Sequence, residues 1–253
     1  MRLDNKVALI TGGAMGIGAG IAERFSQAGA AVVILDVNAE GARRMEQKAL
    51  QTGRARAIAG DVAIEDQVKS AIEQTVAEFG SLDVLVNNAG IDVEGPAVDM
   101  SSSVWDRTLA VNLKGAFLCS KYAIPRMRGR GGAIVNISSV RAFVSYEGNA
   151  AYDASKAGMI GLTRALALEH GRDGIRVNAI CPGYINAPMT EEWLAAQPDP
   201  AATLKQVLSV HPLGRMGTPL DIAEAALFLA SDAAAFISGT YLVVDGAMSV
   251  AGH

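Results

Sequence analysis

The chain has two cysteines, Cys119 and Cys181, far apart. A disulfide framework is therefore excluded, and reduced thiols in a cytoplasmic protein are expected. Histidine is scarce too. His170, His211 and His253 are scattered without metal-ligand spacing, so no metal site is expected. No apolar run reaches the roughly 18 residues of a membrane helix. No charged n-region followed by an apolar h-region is found, so no signal peptide is read. Basic excess is missing: 22 Lys and Arg face 26 Asp and Glu, a net charge of −4. That balance argues against nucleic acid as a partner. Aromatics are only 5% of residues, while 50% are hydrophobic. What fills the chain is Ala, Gly, Val and Ile. Its 253 residues suffice for a large core in one α/β domain, 1–253.

Strand-like apolar runs recur at 7–10, 31–35, 55–59, 82–86, 132–137, 175–180 and 241–244. Helical patterns lie between them, near 17–28, 39–52, 65–79, 103–127, 152–170 and 219–230. Strand and helix in alternation predict a doubly wound sheet of about seven parallel strands with helices on both faces. Ligands then bind beyond the carboxyl ends of the strands, where strand order reverses. The proline-rich stretch 184–216 follows a strand end and predicts a substrate lid.

The first strand runs into Thr11-Gly12-Gly13-Ala14-Met15-Gly16-Ile17-Gly18, and a helical pattern follows. Glycines there let backbone approach a pyrophosphate, and the helix N-terminus offers free N–H groups and a positive dipole end. A tight turn without ligand would use the same glycines. The second strand ends in Asp36, whose carboxylate suits ribose hydroxyls and repels a 2′-phosphate. No Lys or Arg lies at 12–18 or 36–39 to offset it, which favours NAD over NADP.

Tyr152 and Lys156 are four apart in Tyr152-Asp153-Ala154-Ser155-Lys156 and share one helix face. A free phenol titrates near ~10, and a cation beside it favours the phenolate. The pair is thus a candidate for proton transfer, with Ser139 thirteen residues upstream.

These motifs together resemble the short-chain dehydrogenase/reductase family over the whole length. The glycine motif is Thr11 to Gly18. Asp61-Val62, Asn87-Asn88-Ala89-Gly90 and Asn112 within Val111–Gly115 match further motifs. So do Ser139, Tyr152 to Lys156, and Pro182-Gly183. The resemblance implies a Rossmann-like domain and reversible hydride transfer between a nicotinamide and a carbinol or carbonyl carbon. It implies Tyr152 as acid/base, Lys156 lowering its pKa and holding the nicotinamide ribose, and Ser139 bonding the reacting oxygen. Asn112 would hold a relay water through its backbone carbonyl. Gly12, Met15, Gly16, Ile17 and Gly18 would cradle the pyrophosphate. Asp61 and Val62 would meet the adenine, and Asn88, with Ala89 and Gly90, the adenosine-side ribose region. Pro182, Gly183 and Ile185 would meet the carboxamide end. A homotetramer is implied, with helices 103–127 and 152–170 at one interface and the C-terminal strand region at another. Asn87 reads as structural, and Ser138 or Ser139 could each serve a strand-end turn.

Two positions depart from the family pattern. Ala187 stands where a threonine is usual, and Asn186 or Thr190 is a candidate substitute. The usual VDGG appears as Val244-Asp245-Gly246-Ala247, a turn where little effect is expected. Asp92, Val93, Glu94, Arg141, Phe143, Tyr146, Tyr184, Glu191, Glu192 and Trp193 are the expected pocket lining. Arg141 either binds an anionic substrate group or pairs with Glu147 or another acid. The expected reaction is NAD-dependent oxidation of a small alcohol, polyol, sugar or hydroxy acid, or the reverse. The rivals are a carrier-protein 3-oxoacyl reductase and a non-catalytic dinucleotide sensor.

Overall fold

The structure, a computed structural model, describes residues 1–250, so His253 lies outside the described residues. The strands are β1 Val7–Thr11, β2 Ala31–Asp36, β3 Ala55–Ala59, β4 Val84–Asn87, β5 Gly132–Ile137, β6 Ile175–Pro182 and β7 Tyr241–Val244. They form one sheet in the order β3-β2-β1-β4-β5-β6-β7, with every pairing parallel. All seven expected strands are present, with ends within two residues of expectation.

The period of two along each strand sorts the core into layers. Ala8, Ile10, Val32, Ile34, Val84 and Val86 pack with α1 (Gly16–Gln27), α2 (Ala39–Ala49) and α9 (Pro219–Ala230). Leu9, Val33, Leu35 and Leu85 pack on the opposite face with α3 (Glu65–Phe79), α5 (Gly115–Met127) and Leu166 of α6 (Ala150–His170). Burial on both faces explains why these strands read as continuous apolar runs instead of alternating ones. Each fully buried Leu or Ile contributes about 1.5–3 kcal/mol.

The expected helix over 103–127 is not uniform. α4 (Ser102–Leu109) passes into a wide π turn over Ala110–Lys114 before α5 begins. The Gly115 N–H bonds the Ala110 carbonyl, five residues back. An apolar pattern does not register one residue added to a turn, so the spacing could not reveal it.

The stretch 184–216, expected to be a lid, carries two short helices, α7 (Pro188–Ala195) and α8 (Pro200–Ser209). Its ends are tied together: Asn186 N–H bonds Gly217 O at 2.8 Å, and Gly217 N–H bonds Tyr184 O at 2.9 Å. Beyond it, α9 starts with a capping box between Thr218 and Asp221 and Pro219 in its first turn. Arg215 grips the Asp221 carboxylate at 2.8 and 2.9 Å, joining the end of this stretch to that helix start. No described helix is long and apolar enough to cross a membrane.

Candidate active site

Strand order reverses between β1 and β4, so a crevice opens at their carboxyl ends. Asn88, just past β4, stitches it together. Its amide donates to Thr11 O at 3.0 Å and Gly12 O at 2.9 Å, while Thr11 Oγ1 accepts the N–H groups of Asn88 and Ala89 at 3.0 Å each. The side chain expected near a ribose thus braces the glycine loop. Asn87 is structural as read: its amide bonds Ser120 Oγ and Asn136 Oδ1 at 3.2 and 2.8 Å, both buried.

The glycine loop forms a cradle that side chains would fill. Gly12 and Gly16 have φ of 63° and 56°, the left-handed region that glycine adopts freely. A Cβ on Gly12 would stand 2.8 Å from Ala89 Cα. One on Gly18 would collide with the Gly12 carbonyl oxygen. No side chain caps α1 at Met15, so its first N–H groups face the crevice uncapped. Asp36 ends β2 part-buried, accepting Ala14 N–H at 2.9 Å and Asn38 N–H at 2.8 Å. It thereby sets the carboxylate against the loop. These features fit a dinucleotide with its pyrophosphate on the α1 N-terminus.

Asp61 is braced by Arg107 at 2.9 Å and accepts Ala63 N–H at 2.9 Å. Val62 is buried under Gly115. Ile185 is buried and bridges to Gly217. Gly183 packs on Asp245, where a Cβ would approach Asp245 Cβ to 2.8 Å. Ala187 caps the start of α7 and lies against Gly16. Thr190 N–H bonds Ala187 O at 2.9 Å, and Asn186 N–H is spent on Gly217.

At the other side of the crevice, α6 carries Tyr152 and Lys156. Lys156 is 3% exposed, donates to Ile137 O at 2.9 Å, and holds its Nζ 5.3 Å from the Tyr152 ring centroid. The two serines divide the work. Ser138 Oγ bonds Lys156 O at 2.8 Å and so ties α6 to the sheet. Ser139 caps a short turn through Arg141 N–H at 3.2 Å, and its hydroxyl favours the Tyr152 phenolate. Asn112, in the π turn, is fully buried; its carboxamide bonds Ile91 N–H, Ile91 O and Ser155 Oγ at 2.8 to 3.0 Å. A bare Gly90 faces both Asn112 Oδ1 and Lys156 Nζ.

Burial pulls the Lys156 ammonium down to about 8. Burial, helped by the Asp92 carboxylate, pushes the Tyr152 phenol well above its usual value, and Ser139 only opposes this. Burial thus disfavours the phenolate, while Lys156 keeps its Nζ over the Tyr152 ring and on the Ile137 carbonyl.

Other pocket residues also found partners. Arg141 Nε lies 2.9 Å from Asp153 Oδ1, not Glu147, and the guanidinium sits 4.6 Å over the Tyr146 ring. Tyr184 stacks on Trp193 at 5.6 Å and meets His211 edge-on at 5.9 Å. Phe143 pairs with Tyr241 of β7. Three residues escaped the sequence reading: Asn149, Asp153 and His211. Asn149 precedes the tyrosine motif and Asp153 lies within it, but nothing in their spacing names a partner on another loop.

A family model described as enoyl-(acyl carrier protein) reductase matches residues 12–249. A D-threitol dehydrogenase of Mycolicibacterium smegmatis is 44% identical over 252 residues, covering 98% of this chain and 95% of that protein. A 3-oxoacyl-(acyl-carrier-protein) reductase of Thermotoga maritima is 40% identical, covering 99% of this chain and 100% of that one. The ligand-free structure of an aldohexose dehydrogenase from Thermoplasma acidophilum superposes with a TM-score of 0.90 at 39% identity, covering 98% of this chain and 96% of that one. The chain belongs to the short-chain dehydrogenase/reductase family, oxidoreductases that use a nicotinamide dinucleotide.

Proposed function

We propose that the protein is an NAD-dependent oxidoreductase for the secondary alcohol or ketone of a small alcohol, polyol, sugar or hydroxy acid. One observation carries the reading: a glycine cradle ending at Asp36 meets Ser139, Tyr152 and Lys156 across one crevice. Relatives named for oxidising threitol and aldohexoses support it. Asp36 supports NAD over NADP, since its carboxylate would repel a 2′-phosphate. Gly12, Met15, Gly16, Ile17 and Gly18 hold the pyrophosphate in this reading. Asp61, Val62, Asn88, Ala89 and Gly90 line the adenosine half. Lys156, Tyr152, Pro182, Gly183 and Ile185 line the nicotinamide half.

The nicotinamide supplies the hydride acceptor for oxidation and the donor for reduction. Ser139 and Tyr152 bind the reacting oxygen between their hydroxyls. In oxidation, Tyr152 first gives up its own proton; the phenolate then takes the substrate hydroxyl proton as hydride leaves the carbinol carbon, while the Ser139 hydroxyl steadies the developing charge. In reduction, Tyr152 gives the proton back. Lys156, at about 8, is mostly an ammonium at neutral pH and can still release a proton toward the Asn112 turn. A 3-oxoacyl reductase reading has the Thermotoga maritima relative in its favour, but Asp36 and the net charge of −4 weigh against NADPH and an acidic carrier.

A cytoplasmic homotetramer belongs to the same proposal. Leu109, Leu113, Phe117 and Leu162 line an apolar groove along α4, α5 and α6, and Phe117 is 45% exposed. Light scattering that reports a monomer would remove the tetramer.

Tyr152→Phe tests the function. Turnover should fall by about 10²–10⁴-fold, with NADH binding by fluorescence retained. Retained turnover contradicts the proposal.

A further inference from the structure

Asp92 is held beside the proposed reaction centre by three tethers. The Asn112 carboxamide grips both backbone groups of the preceding residue, Ile91, at 2.8 and 2.9 Å. The Asn149 amide reaches the Asp92 carboxylate at 3.2 and 3.4 Å. Gly95 N–H bonds Gly148 O at 2.8 Å, closing the two loops on each other. Asn149 stands at the N-cap of α6 yet makes no side-chain cap bond, because its amide is turned to Asp92. The helix start that carries Tyr152 is thus used to position a carboxylate.

That carboxylate has capacity to spare. An ionised carboxylate offers about four acceptor sites, and Asn149 meets it only at the long end of hydrogen-bond range. Asn149, which meets this carboxylate, starts the helix that carries Tyr152 three residues on, and the Asp92 charge disfavours the phenolate and favours the Lys156 ammonium. Glu94, Arg141 and Asp153 are its charged neighbours.

Arg141, the cation among them, is engaged. Its Nε faces Asp153 at 2.9 Å, its Nη2 donates to Tyr146 O at 3.3 Å, and its plane lies on the Tyr146 ring. A substrate carboxylate or phosphate would meet Asp92 and Glu94, while the cation that could offset them is ion-paired with Asp153, though without a hydrogen bond between Nε and Oδ1. A neutral chain of hydroxyls meets acceptors instead. The Tyr184–Trp193 stack offers an aromatic face for its C–H groups. His211, beside Tyr184, is 3% exposed; its Nδ1 bonds Val207 O at 2.6 Å and must carry the proton. Its Nε2 is buried without a partner.

We infer that this pocket selects an uncharged polyol or sugar, with Asp92 accepting a second substrate hydroxyl while Tyr152 and Ser139 hold the reacting one. The inference rests on the dehydrogenase reading and narrows its substrate.

The test compares a tetritol, 2-butanol and 3-hydroxybutyrate on wild type and Asp92→Ala, with NADH binding and Tm followed alongside. Wild type should favour the tetritol by about tenfold or more in kcat/KM. Asp92→Ala should shrink the tetritol-to-butanol ratio about tenfold, chiefly through KM. A wild-type preference for 3-hydroxybutyrate overturns the inference, as does an unchanged ratio in a folded, NADH-binding variant. Either result leaves the dehydrogenase reading standing. If Asp92→Ala does not fold, the wild-type ranking alone decides. Silence with all three alcohols and their ketones, with NAD and with NADP, overturns both.

Discussion

Tyr152 and Lys156 share one face of α6, and burial pushes them in opposite directions, the phenol up and the ammonium down to about 8. Asp92 adds a negative charge that disfavours the phenolate and favours the ammonium. Alcohol oxidation needs Tyr152 as the base, so kcat/KM should rise with pH along a limb set by this coupled pair. Removing the Asp92 charge lowers the cost of the phenolate. Asp92→Asn should therefore move the limb to lower pH in a kcat/KM profile, and a shift to higher pH contradicts the electrostatic account. At this scale the sequence exposed Ser139, Tyr152 and Lys156, because helical and strand-end spacing brings them together. It did not expose the Arg141–Asp153 or Asp92–Asn149 pairs, since contacts between separate loops leave no periodic trace.

The elements themselves were largely legible. Apolar runs of four to six residues marked the strands, and in the central ones, β1, β2, β4, β5 and β6, both faces are covered. The π turn before α5 was not legible, for the reason given above. The glycine loop makes a sharp prediction. Gly18→Ala would drive a Cβ into the Gly12 carbonyl oxygen and the Asn88 amide that braces the loop. NADH binding by fluorescence should be lost or weakened by at least about tenfold, roughly 1.4 kcal/mol. Unaltered binding would remove the loop from the dinucleotide site. The turn after β7 gives a stability prediction. Ala247 stands where the family has glycine, and its φ is 69°. Left-handed backbone costs an L-residue about 1–2 kcal/mol, and glycine's extra entropy returns about 0.5–1 kcal/mol of that. Ala247→Gly should raise Tm by about 1–4 °C in a thermal melt. A lower Tm would show that the turn relieves its strain elsewhere.

For the whole molecule, one reversal of strand order decides where chemistry can occur. The chain leaves β1 for β2 and β3 on one side, then returns to β4 on the other. Thr11, Asn88 and the glycine loop close the crevice between them, and Ser139 and the stretch 184–216 follow the ends of β5 and β6. Alternation of strand and helix made this class readable. The strand order is a property of long-range pairing, and composition carries no record of it. The most direct measurement is NADH and NADPH formation in parallel across secondary alcohols, polyols, sugars and hydroxy acids. The account predicts turnover with NAD, strongest on an uncharged polyol or sugar, and weak or no turnover with NADP. Turnover with NADP in preference to NAD would contradict the role given to Asp36, and silence with both despite NADH binding would contradict the enzyme.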